Sequence, residues 1–61
     1  MTELHHQITR RATRALQSLQ AAHESGDDYL ASVQEAELEN LARLAAEHGL
    51  RVPDLEGYSA A

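Results

Sequence analysis

The sequence predicts an all-α fold: an antiparallel two-helix hairpin that pairs into a four-helix-bundle homodimer. Three observations carry this. Leu38, Leu41, Leu44 and Ala45 recur at three-and-four spacing, which sets them on one side of a helix. The run Glu24-Ser25-Gly26-Asp27-Asp28 interrupts the helical pattern with residues that end one helix and cap the next. So short a connection makes its two helices antiparallel neighbours. Finally, 61 residues without Cys, Trp or Phe build only half a core from a lone hairpin, and self-association or docking is the expected remedy.

Helix 1 is expected over about residues 3–24. Thr2 is a fair N-cap and Glu3 suits the first turn, where the helix dipole favours a negative charge. At about 100° per residue, Leu4, Ile8, Ala12, Ala15, Leu16, Leu19 and Ala22 share one face. Arg10 and Arg14 project from the opposite face and Arg11 lies at the margin. The turn spans 25–27: Gly26 takes the positive φ that ends helix 1, and Ser25, Asp27 or Asp28 caps helix 2.

Helix 2 is expected over about 28–48, completing a hairpin across residues 2–49. Its apolar face collects Leu30, Val33, Leu38, Leu41, Leu44 and Ala45, with Tyr29 beside the stripe. Ser32-Val33-Gln34-Glu35 matches a capping box, so a break near residue 32 is the alternative. Glu39 stands four residues before Arg43, the better orientation for a helical ion pair. His48 suits the negative end of the dipole, Gly49 is placed for a left-handed cap, and Pro53 blocks continuation. Leu50 then folds back on Leu44 or Ala45. Residues 50–61 read as an irregular tail, with Val52 and Leu55 within reach of the bundle and the last residues mobile.

Charge is divided unevenly. Residues 1–23 set three arginines against one carboxylate, net +2, while residues 24–61 set two arginines against nine carboxylates, net −7. A basic helix pairing with an acidic one is the preferred reading, with a nucleic-acid contact as the other. No apolar run marks a signal peptide or a membrane span, and a cytoplasmic protein without membrane contact is expected. Abundant Ala, Arg, Glu and Leu without Lys suggests a high-GC bacterial genome.

Three constellations carry chemistry. Glu37 falls on the face that should be buried, between Leu30, Val33, Leu41 and Leu44. A carboxylate there needs a partner or an open edge, and Arg11 is the candidate partner. The four histidines invite a metal reading, since a hairpin sets His5 opposite His48 with His23 near the loop. Neither helix holds ligands at metal-binding spacing, so no metal site and no cofactor is expected. Arg10, Arg11 and Arg14 form the basic cluster, beside Gln7 and Gln17, a surface able to lie along phosphates. Net charge of −5 and the lack of aromatic residues on that helix argue for a solvated or protein-facing surface instead. No catalytic residue is assigned, because no nucleophile or second carboxylate converges on Glu37.

The size and hairpin plan resemble the Rop-type plasmid copy-number regulators, helical hairpins that dimerise into a four-helix bundle. The resemblance covers residues 2–49, is architectural and rests on no shared motif. It implies dimerisation more than RNA binding. The expected function is therefore a small non-catalytic protein–protein interaction module, an adaptor or regulator acting by helix-face docking. Ile8, Ala15, Leu19, Leu30, Leu41 and Leu44 are the residues assigned to self-association. The partners are a second copy and an unidentified protein. The alternative is a Rop-like dimeric nucleic-acid-binding regulator using Arg10, Arg11 and Arg14.

Overall fold

A computed structural model of the chain describes residues 3–58. Two long helices, α1 (Glu3–Ser25) and α2 (Asp28–Glu47), pack antiparallel, and a short 3-10 helix, η1 (Pro53–Tyr58), packs against both. Helix α2 is continuous through Ser32, so the capping-box sequence there does not break it. The assignments of Thr2 as a cap and of the last residues as mobile lie outside the described residues, residues 59–61 included.

Local chemistry fixes both helix ends. At the end of α1, Gly26 N–H donates to His23 O at 3.3 Å and Asp27 N–H to Ala22 O at 2.8 Å. This paired pattern satisfies carbonyls that the helix leaves open, and it needs a left-handed residue, supplied by Gly26 at φ 72°. Asp27 then serves both helices. Its backbone closes α1, and its side chain accepts from Leu30 N–H at 3.0 Å as the N-cap of α2. The end of α2 repeats the device: Gly49 N–H donates to Ala46 O and Leu50 N–H to Ala45 O, with Gly49 at φ 66°. Leu50 packs against the core from there.

The core is one cluster with contributions from all three helices. Ile8, Ala12, Ala15, Leu19 and Ala22 are buried from α1, and Ala31, Leu38, Leu41, Ala42 and Ala45 from α2. Val52 and Leu55 complete it. Six of these buried residues are alanine, so close backbone approach replaces side-chain bulk along the seam. No buried side-chain polar atom among the described residues lacks a partner.

Three expectations are corrected. The buried sector of α2 is rotated from the predicted one: Ala31 and Ala42 are inside, Leu30 and Leu44 are half-buried, and Val33 is 43% exposed. At the Ala42 end the cause is the chain after Gly49, which lies against Ala42, Ala45 and Ala46 and covers that side of α2. That segment is also not irregular throughout. It forms η1, and Val52 just before it, Leu55 and Tyr58 recur every three residues, the period of a 3-10 helix. Arg43 also departs from the predicted pairing with Glu39: its Nη2 donates to Asn40 Oδ1, one turn back.

Leu41 is fully enclosed. Leu41→Ala should cost about 2–5 kcal/mol in chemical denaturation; a cost below about 0.5 kcal/mol would contradict its place in the core. Gly49→Ala should destabilise by about 1–2 kcal/mol, because an L side chain resists the left-handed conformation. A more stable Gly49→Ala variant would show that the helix runs on through this position.

Candidate interaction faces

The tail divides the hairpin into a covered side and an open side. On the covered side, Leu50, Val52, Leu55 and Glu56 line one shallow cleft with Ala42, Ala45 and Ala46 of α2. Tyr58 lines two further clefts, one with Leu16, Leu19, Gln20 and His23 of α1, the other with Ala36, Glu39 and Asn40 of α2. The tail thus runs from the open end of the hairpin back along the helix pair. At its start, His5 Nε2 donates to the Arg51 carbonyl oxygen at 3.1 Å, tying the first turn of α1 to the tail.

The open side carries a stripe on α2 made of Leu30, Val33, Glu37 and Leu44. Leu30, Glu37 and Leu44 are seven residues apart, and Val33 stands four before Glu37. This is the seam spacing of helices that pack on a second pair. Val33, Gln34 and Glu37 line a shallow concavity with Arg11, Arg14 and Ala15 of α1, and no tail residue enters it. In its middle, Arg11 Nη2 donates to Glu37 Oε2 at 2.9 Å. Their side chains are 55% and 33% exposed. Glu37 therefore combines the two roles the sequence allowed it, paired with Arg11 yet standing at an edge in contact with water.

The structure separates the predicted site residues. Of the six assigned to self-association, Ile8, Ala15, Leu19 and Leu41 are buried within the single chain, and Leu30 and Leu44 remain at its surface. Arg10, Arg11 and Arg14 are all exposed and line one shallow cleft with Gln7. Arg11 is engaged by Glu37, which leaves Arg10 and Arg14 without an ion pair to any described residue. Tyr29, beside the stripe at the loop end, is 80% exposed.

Among the described residues, no three His, Cys, Asp or Glu side chains are placed to hold a metal ion. None of the described helices is long and apolar enough to cross a membrane. Sequence reasoning missed the exposed position of Val33 and the three-residue stripe Val52, Leu55, Tyr58. The latter signal was present, since Pro53 opens a segment with regular apolar spacing, but it is a short one. No protein-family model, curated protein or solved structure matches this chain.

The Arg11–Glu37 pair should be weak in an isolated chain, because water and salt screen it. A double-mutant cycle with Arg11→Ala and Glu37→Ala in dilute solution should give a coupling of about 0.2–1 kcal/mol. A coupling above about 2 kcal/mol would mean that the pair is shut away from water in a single chain.

Proposed function

We propose that this chain is a small non-catalytic interaction module that self-associates into a four-helix bundle and acts by helix-face docking. One observation carries the reading: the tail covers one side of the hairpin, while the other presents Val33 exposed and Leu30 and Leu44 half-buried at seam spacing, and no tail residue lines the concavity beside Val33. The accessible surface agrees. The chain exposes 4352 Å², about a tenth more than the roughly 3,900 Å² expected for a folded monomer of 6.7 kDa. Covering the stripe with the same stripe of a second copy buries leucine and valine side chains that a lone hairpin leaves wet. Sedimentation equilibrium should show dimers at micromolar concentration that dissociate on dilution. A folded monomer with an unchanged cooperative melt at every concentration would overturn the proposal. An adaptor or regulator of the cytoplasm fits this reading, with a second protein docking on the exposed outer faces.

A second reading is favoured by the cleft that gathers Gln7, Arg10, Arg11 and Arg14: a dimeric nucleic-acid-binding regulator. With Arg11 turned to Glu37, two arginines per chain and four per dimer remain for phosphates. Four contacts give a log–log salt slope of about −3.6 on duplex and about −2.8 on a single strand, since each neutralised phosphate releases counterions. The acidic remainder of the chain opposes such binding. No salt-sensitive binding to duplex or single strands is expected at physiological ionic strength. A slope near −3 that Arg10→Ala with Arg14→Ala abolishes, helix content being unchanged, would establish the second reading over the first.

A further inference from the structure

The open face also determines how a second copy sits on it, an inference that rests on the self-association proposed above. Two hairpins stacked face to face have two ways to obey two-fold symmetry. An axis along the helices lays α1 of one copy over α2 of the other and brings both Gly26 loops to the same end. An axis across the helices lays α1 over α1 and α2 over α2, with the loops at opposite ends.

Charge separates these arrangements. Helix α1 carries three arginines against two carboxylates, net +1, and α2 carries one arginine against five carboxylates, net −4. The axis along the helices pairs +1 with −4 on both sides of the bundle. The axis across them pairs −4 with −4. The same contrast is sharper at the centre of the face. Arg11 and Glu37 stand at one height, 2.9 Å apart, with Leu30 and Val33 toward the loop and Leu44 toward the open end. Under the first axis, each Arg11 faces Glu37 of the second copy, and the four groups alternate in sign around one layer. Under the second, arginine meets arginine and carboxylate meets carboxylate. Arg14, exposed one turn from Arg11 and lining the same concavity as Glu37, adds a second cation facing the acidic helix in the first arrangement only.

We infer that the occupant of the open face is a second copy of this chain, docked with its loop at the same end and its α2 over α1, and that the Arg11–Glu37 layer selects this arrangement. A charge in the middle of an apolar seam fixes register and orientation by penalising the alternatives, as single polar seam residues do in coiled coils.

The test combines charge reversal with a distance. Arg11→Glu puts four carboxylates in the layer and Glu37→Arg puts four guanidinium groups there. Each variant alone should stay helical and monomeric at concentrations where the parent dimerises. An equimolar mixture should recover dimers, because each carboxylate of one copy then faces a guanidinium group of the other. The sequence contains no cysteine, so Asp28→Cys, at an exposed position beside the loop, accepts one nitroxide label per chain. Labels in the dimer should lie about 20 Å apart, a bundle's width, rather than beyond about 30 Å, the length of the helices. Dimers with labels beyond about 30 Å would overturn the arrangement and leave self-association standing. Charge-reversed variants that dimerise as well as the parent would remove the layer from the interface. A parent that stays monomeric throughout would overturn both the inference and the reading on which it rests.

Discussion

Ala12, Ala15 and Ala22 of α1 are buried in one cluster with Ala31, Ala42 and Ala45 of α2, and this alanine seam sets the terms for everything around it. Alanine lets two helices approach closely, but each removes little apolar surface from water. Burying a leucine is worth about 1.5–3 kcal/mol, and a seam half made of alanine forgoes much of that. Two consequences follow in the structure. The chain after Gly49 turns back to add Val52 and Leu55 to the core, and Leu4, Leu16, Leu30 and Leu44 close round its margin half-buried. The result is elongated: its radius of gyration is 11.7 Å against about 10.5 Å for a compact chain of this length.

The helix ends were legible in the sequence because each depends on a few adjacent residues. Gly26 and Gly49 supply positive φ, and the Asp27 carboxylate accepts from the backbone amide of Leu30, three residues on; neither device needs knowledge of the rest of the fold. The buried face of α1 was legible too, since its apolar residues form one continuous stripe. Helix α2 was harder. Its leucines span a wide arc, so periodicity weighted Leu30 and Leu44 above Ala31 and Ala42. At the Ala42 end, which part of that arc is buried was decided by the chain after Gly49, a contact from outside the helix. A six-residue 3-10 segment lacks the length that makes a period stand out, so the contact stayed hidden.

The candidate face was legible in one of its parts. Glu37 stood out as a carboxylate among leucines, and Arg11 was the one arginine at the margin of α1; the structure brings the two together. That the pair sits at the centre of the side left open by the tail could not be read from the sequence. It depends on where η1 packs. The ion pair adds little stability while water screens it. Its weight grows when a second copy removes the water, since attraction between opposite charges and repulsion between like ones both strengthen as solvent is excluded. A feature nearly neutral in one chain thereby becomes a selector in the assembly.

The claim that the open face is covered by a second copy has one direct measurement: thermal melts of the parent and of Val33→Glu across a wide range of concentration. Val33 is 43% exposed in the single chain, so a carboxylate there disturbs an isolated hairpin little, yet it puts a charge into the seam of a dimer. The parent should melt at higher temperature as concentration rises, by mass action. The variant should melt at one temperature throughout, matching the parent at its most dilute. Melting temperatures that are independent of concentration and equal in the two proteins would contradict the account.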